Sequence, residues 1–290
     1  MNISLGTISF RHALISFGEL VRYAQAQGFS GIELWGIHAQ HLYDNRQEQE
    51  LEELHYLRTH NMNITMISDY LDISPQADFG QTAAKCRRLI ELAGAFGTNR
   101  IRTFAGQEPS SGVTPAAREG YTRRLSELCD LCGEHGVKLL IETHPNTLAD
   151  TLASTLVVLE ETGHEQLAIN LDFLHLWEAG EDLQECMRLL EPWVQHYHLK
   201  NISSPQYLDV FQPHNVYSSS GTREGIVKLG GGAVDYRSIL KYIHRTGIPA
   251  SLEWFGPDPL NILKEEMDWL RKLELVNHLQ IFNAARNFPE

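Results

Sequence analysis

The chain has 290 residues, 42% hydrophobic and 21% charged, an ordinary balance for a soluble globular protein. Its 24 Lys and Arg against 37 Asp and Glu leave a formal net charge of -13, which argues against gripping a nucleic-acid backbone but not against one local Arg or Lys holding a small carboxylate. The sequence shows neither a basic-plus-apolar leader nor an apolar run of membrane-spanning length, so a cytoplasmic protein without a membrane partner is expected.

Short apolar strands alternate with longer amphipathic stretches along the chain. Ile3–Gly6 reads as a strand, followed by a helix from Ser16 to Gln27 in which Ser16 and Glu19 suit a capping box and Gly28 a C-terminal stop. Gly31–Leu34 is the next strand and Gln47 to His60 the next helix. Asn63–Ile67 and Phe79–Phe96 repeat the pair, as do Arg100–Thr103 and Pro115–His135. Cys129 and Cys132 form a CxxC inside that last helix. With no second Cys/His pair nearby to complete a zinc site, they read as a half-buried helical pair.

The run Leu139–Ile141 is the most informative, because it ends in Glu142-Thr143-His144-Pro145. Period-two alternation puts Glu142 and His144 on one face of a strand that Pro145 should terminate. A helix from Leu152 to Glu161, a strand at Leu167–Leu171, a helix at Leu183–Leu190 and a strand at Val194–His198 follow. A helix at Tyr236–His244, a strand at Ala250–Leu252 and a helix after Pro259 complete the order; Glu274–Glu290 carries no motif. About eight strand-then-helix units, with no GxGxxG after the first strand, predict one α/β domain over residues 1–290, a closed (β/α)8 TIM barrel rather than an open doubly wound sheet. The long connection at about 199–234, with Tyr207, Phe211, Tyr217 and Gly230-Gly231-Gly232, reads as a helix-free lid whose glycines act as a hinge.

Barrel chemistry gathers where strands end at their C-termini. Those ends carry Glu33, Asp69 and Tyr70, Arg102, Glu142 and His144, Asp172 and His175, His198 and Lys200, and Glu253. Three carboxylates and an imidazole (Glu142, Asp172, His198 and Glu253) on neighbouring strands suit a divalent ion, Mn²⁺ or Mg²⁺ ahead of Zn²⁺. His144 and His175 are candidate proton movers, and Arg102 and Lys200 candidate anion clamps. Tyr70 and Glu33 are candidate substrate contacts, and the lid tyrosine Tyr217 is a candidate catalytic acid that could also bond a substrate hydroxyl. His12, His38 and His41, which follow the first two strands, read first as surface or packing residues and second as lining for the mouth, while Trp35, Trp177, Trp254 and Phe255 are expected around a compact pocket.

The set Glu142, Asp172 with His175, His198 and Glu253 resembles the xylose-isomerase-like barrels, which include ketose epimerases, sugar isomerases and endonuclease IV. Longer stretches, among them Thr65–Ser74, Arg100–Gln107, Glu142–Leu148, Asn170–His175, His196–Ser204 and Ser251–Gly256, resemble the metal-dependent 3-dehydroshikimate dehydratases that make 3,4-dihydroxybenzoate for petrobactin-type catecholate siderophores. The resemblance spans nearly the whole chain to about Leu273. It implies Glu142, Asp172, His198 and Glu253 as metal ligands, His144 as general base and 3-dehydroshikimate as substrate. A ketose epimerase or isomerase, an endonuclease IV-like enzyme and a noncatalytic sugar-binding barrel stand as alternatives. Arg102 and His144 speak against a neutral sugar, and Asp69, Tyr70 and Arg102 stand where endonuclease IV needs histidines.

Overall fold

In the computed structural model, which describes residues 1–45 and 48–286, eight parallel strands close into a barrel. They are β1 (Ile3–Gly6), β2 (Gly31–Trp35), β3 (Asn63–Ser68), β4 (Arg100–Phe104), β5 (Lys138–Glu142), β6 (Leu167–Asp172), β7 (Val194–Leu199) and β10 (Ala250–Leu252). Their order around the barrel is β1-β10-β7-β6-β5-β4-β3-β2, with β2 returning to β1. A separate antiparallel pair, β8 (Asn201–Ile202) and β9 (Ile226–Val227), sits in the connection after β7.

Helices α1 (Phe17–Ala26), α2 (Gly36–Asp44), α3 (Glu48–Thr59), α4 (Phe79–Phe96), α5 (Pro115–Gly133) and α6 (Leu152–Thr162) belong to the first five strands. α7 (Phe173–Glu178), α8 (Leu183–Leu190), α9 (Pro213–Val216), α10 (Tyr236–Thr246) and α11 (Pro259–Arg286) follow. Local chemistry sets many of the starts. Ser16 and Glu19 make the expected capping box on α1, and Asp78, Thr114 and Thr151 cap α4, α5 and α6. The sequence reading missed α2 because Trp35, its N-cap residue, offers no capping side chain. It also missed α7, a single short element. The helix expected from Gln47 is α3; Gln47 itself, like 287–290 of the C-terminal stretch, lies outside the described residues.

One large apolar cluster fills the layer between strands and helices. Cys129 and Cys132 belong to it. They are fully buried rather than half-buried, and Cys132 Sγ lies 3.9 Å from Cys86 Sγ across the α4–α5 contact. Their burial in an apolar interface leaves them no access to a redox partner. Inside the barrel, Met66, Leu140 and Ala168 form a small apolar plug. Two residues further along the same strands stand Ser68, Glu142 and Asn170, so period two carries the interior from apolar floor to polar mouth. Among the described residues no helix is long and apolar enough to cross a membrane.

The 199–234 connection departs from the helix-free reading: it holds a 3-10 helix at Pro205–Phe211 and the short α9. Two of the three glycines expected as a hinge are instead tightly packed. A Cβ on Gly230 would meet the Trp269 ring at 2.7 Å, and one on Gly232 would run into the Asn201 side chain, whose amide bonds Leu229 O and Val234 O. Close packing, not flexibility, requires glycine there. Gly230→Ala is therefore expected to cost about 1–3 kcal/mol through overpacking against Trp269, a loss that thermal melting measures; an unchanged midpoint would remove the argument.

Candidate active site

Closure brings the ionisable strand ends to one mouth. Asp172 serves two structures at once. Its Oδ1 accepts from Leu174 N (3.0 Å) and His175 N (3.4 Å), capping α7, while Oδ2 faces the barrel axis. The cap fixes both the carboxylate and His175, whose Nδ1 lies 3.0 Å from Glu178 Oε2, one helical turn on.

Glu142, Asp172 and His198 offer ligand atoms within 4.8 Å of one another, all buried. Glu253 joins them, its Oε2 lying 3.4 Å from His198 Nδ1, as Glu142 Oε1 also does. Two cations neutralise the acids. Arg102 Nε is 2.9 Å from Glu142 Oε2, and Lys200 Nζ is 2.5 Å from Asp172 Oδ2 and 2.9 Å from Glu253 Oε2. Lys200 follows β7 two residues after His198, on the same inward face, and Tyr236 OH donates to its carbonyl. The two expected anion clamps are thus engaged with carboxylates in this structure.

The charges move one another's protonation in opposite directions. Burial by itself would raise the Glu142 carboxyl, but Arg102, then His198 and Lys200, hold it well below the usual range. Burial opposes ionisation of Asp172 likewise, and Lys200 and His175 outweigh it. His198 is pushed up against its burial by Glu253, Glu33 and Glu142. Glu142 Oε2, Asp172 Oδ2 and His198 Nδ1 are buried and make no hydrogen bond of good geometry. Arg102 and Lys200 meet the two carboxylates as ion pairs, and the convergence of these buried carboxylate oxygens with one imidazole nitrogen is a donor set that fits a divalent cation.

His144 arrives differently from the sequence expectation. β5 stops at Glu142, and His144 N already bonds Ala149 O in the following turn, where Asn146 adopts φ +59°. His144 therefore enters from a loop rather than a strand face, yet it still reaches the mouth. Its Nδ1 lies 2.7 Å from Pro145 O, so Nδ1 carries the hydrogen and Nε2 keeps its lone pair. The ring packs against Phe104 (4.3 Å) and His175 (4.4 Å). Burial, then His175, lowers the His144 pKa to about 3, so the ring is a neutral base at ordinary pH.

A cavity of about 40 Å³ is bounded by Arg102, Glu142, His144, His175, Lys200 and Glu253, with Tyr70, Tyr217, Phe211 and Phe255 above them. Tyr217 OH lies 2.6 Å from Tyr70 OH, and its ring stacks on Trp35 at 5.7 Å. The same two tyrosines border a second, larger cavity of about 1100 Å³ lined by His12, His38, His41 and Trp35. The ionisable strand ends line the smaller one. Trp177 and Trp254 line neither of these two; Trp254 is buried with its indole N–H on Pro257 O. Glu33 is also a correction. Its carboxylate meets Ser68 and His198 and lines neither cavity, so it is not among the groups facing the space at the mouth. The sequence reading passed over Glu178, Phe104 and His196. Each stands two or three residues from a residue it did name, at the spacing that shares a face.

The profile of the xylose isomerase-like TIM barrel family matches residues 21–273. A 3-dehydroshikimate dehydratase of Bacillus anthracis is 52% identical over 278 residues, covering 95% of this chain and 99% of that protein. The crystal structure of "the probable 3-DHS dehydratase AsbF involved in the petrobactin synthesis from Bacillus anthracis" superposes with a TM-score of 0.92 at 52% identity, over 93% of this chain and 99% of that one. The zinc-bound IolI protein shares the fold at a TM-score of 0.73 and 17% identity, over 95% of this chain and 97% of its own. The profile match, the full-length likeness and the closed barrel together mean that the chain belongs to the xylose isomerase-like TIM barrel family.

Proposed function

We infer that this chain is a 3-dehydroshikimate dehydratase that forms 3,4-dihydroxybenzoate for catecholate siderophore synthesis. The observation that carries the reading is 52% identity sustained over 95% of the chain with a dehydratase of that activity. The site chemistry agrees with it. Dehydrating a β-hydroxy ketone needs a base near the keto group, an acid for the leaving hydroxyl and a counter-charge for the ring carboxylate.

Glu142, Asp172, His198 and Glu253 would hold the divalent metal, Mn²⁺ or Mg²⁺, supported by a donor set of carboxylate oxygens and one imidazole nitrogen. When bound, such an ion supplies a Lewis acid for a keto oxygen. His144, through its free Nε2, removes a ring proton activated by the 3-keto group. His175, backed by Glu178, protonates the C5 hydroxyl, which departs as water, and transfer of a further ring proton to the 3-oxygen, from carbon through base and solvent, leaves the aromatic product. The Tyr217 and Tyr70 hydroxyls bond the substrate's own hydroxyls. Arg102 or Lys200 turns from its carboxylate partner to the substrate carboxylate, which a neutral ketose lacks.

A cavity of about 40 Å³ has room for a water or two, not for a six-membered ring acid. The segment carrying Phe211, Val216 and Tyr217 must therefore shift to admit substrate, which supports the lid reading of residues 199–234. Closing it again would exclude water from the reacting ring.

The purified chain, loaded with Mn²⁺ or Mg²⁺ and given 3-dehydroshikimate, is expected to develop the ultraviolet absorbance of 3,4-dihydroxybenzoate. Chelation should stop the reaction and fresh metal restore it. Absence of product from the loaded protein would overturn the assignment.

A further inference from the structure

Glu33 is the middle residue of β2, on the inward face, and its side chain touches neither of the two cavities at the mouth. It is 2% exposed, and a carboxylate so deep needs partners. Ser68, on the neighbouring β3, donates its hydroxyl to Oε1. Both carboxylate oxygens lie 3.1 Å from His198 Nε2, across the barrel axis and 165 residues away in sequence.

Carboxylate oxygens of an ionised Glu only accept, so the hydrogen in this contact belongs to His198 Nε2. When a cation displaces the other ring hydrogen, an imidazole that keeps its hydrogen on Nε2 presents the Nδ1 lone pair. That atom points the other way, 3.4 Å from Glu142 Oε1 and 3.4 Å from Glu253 Oε2, and has no hydrogen bond of its own. One contact thus fixes which ring nitrogen keeps its hydrogen and holds the ring plane that aims Nδ1 among the acids.

We propose that Glu33 is a positioning residue for the metal centre: it holds His198 in the Nε2–H form so that Nδ1 is presented, already oriented, to a divalent cation. The proposal rests on the metal reading above and extends it to a residue with no contact to metal or substrate. A carboxylate behind a ligating histidine both orients the ring and raises its basicity, and such partners are typically worth about 10–100-fold in metal affinity. A competing reading also exists, since Glu33, His196 and His198 Nε2 form a second compact trio. A cation there together with one at Nδ1 would require His198 to lose both ring hydrogens, and Ser251 Oγ already meets His196 Nε2 at 3.2 Å. One ion per chain is expected.

The test is Mn²⁺ titration of the full, metal-stripped chain, read by the electron paramagnetic resonance of free Mn²⁺. The unaltered protein should bind one ion and Glu33→Gln should bind it about 10–100-fold more weakly, with KM for substrate unchanged once Mn²⁺ is saturating. Glu178→Gln, which removes an equal charge from a carboxylate on His175 rather than on a ligand, should leave Mn²⁺ affinity unchanged. Equal weakening by both variants would reduce the effect to general charge and overturn the proposal. So would a raised KM with unchanged affinity, or two ions per chain. If Glu33→Gln fails to fold, Ser68→Ala carries the test, with a smaller loss of affinity expected and an unchanged one counting against Glu33. In the unaltered Co²⁺-loaded protein, His198 Nε2–H should give one hyperfine-shifted proton signal that exchanges slowly in D₂O; its absence would overturn the assignment. Failure of the unaltered chain to bind Mn²⁺ sinks the metal reading itself. Tight binding that Glu33→Gln leaves intact sinks only the role of Glu33.

Discussion

His144→Ala is expected to leave the protein folded and able to bind metal while lowering kcat by about 10²–10⁴-fold, the usual worth of a positioned general base. The argument rests on the tautomer. Pro145 O takes the Nδ1 hydrogen, so Nε2 is the free base, and the flanking Phe104 and His175 rings hold the imidazole at the cavity wall. Glu142→Ala is the contrasting variant: it removes a ligand atom and should abolish metal binding and turnover together. Retained turnover in His144→Ala would move the base elsewhere, with His175 next in reach. The pH dependence follows from the same ring. His144 has its pKa lowered to about 3 in the folded chain, chiefly by burial. The unfolded chain therefore binds a proton below about pH 6.5 that the folded one refuses. Stability from this group is complete above that pH and is lost as the pH falls toward 3. His144→Ala should accordingly lose less stability than the parent between pH 6.5 and 4, and the parent's acid limb of kcat/KM should not fall at the ordinary histidine value on account of His144.

Arg102→Ala is expected to be the most destabilising single change at the site. The guanidinium is 2% exposed, sits 2.9 Å from Glu142 Oε2 and lies over the rings of Tyr70 (5.0 Å) and Phe104 (5.1 Å). Removing it strands a buried carboxylate, a loss of about 3–5 kcal/mol, which for a domain of this size lowers the melting temperature by roughly 10 °C. Saturating Mn²⁺ should recover part of this, because a cation then meets Glu142 again. Arg102→Lys keeps the charge but not the planar fork, so it should recover stability better than it recovers KM for the anionic substrate. Melting of the stripped and loaded forms, with KM on the loaded form, separates the two contributions. An unchanged melting temperature and an unchanged KM would show that Arg102 neither neutralises Glu142 nor holds the substrate.

Much of this site was legible in the sequence because it depends on local rules. Apolar runs ending in acids gave away the strand ends, and the period of two told which residues share the inward face: Glu142 with Leu140, Asp172 with Asn170, His198 with His196 and Lys200. Ser16 with Glu19 marked the start of α1 as a capping box, and Asp172 followed by His175 marked a helix start that the sequence reading left unused.

The partnerships were not legible, because closure decides them. Only a sealed barrel brings Glu33 on β2 against His198 on β7, commits Arg102 to Glu142, and puts the Lys200 ammonium among Asp172 and Glu253. The glycine triplet reads as a hinge in the sequence, but in the fold Trp269 presses on Gly230 and Asn201 on Gly232. The sequence by itself determined which chemical groups stand at the mouth, since strand alternation and helix capping act over two to four residues. The tertiary structure alone decided which of them neutralise one another and which keep a lone pair free, since in a low-dielectric interior that balance depends on distances between side chains far apart in the chain.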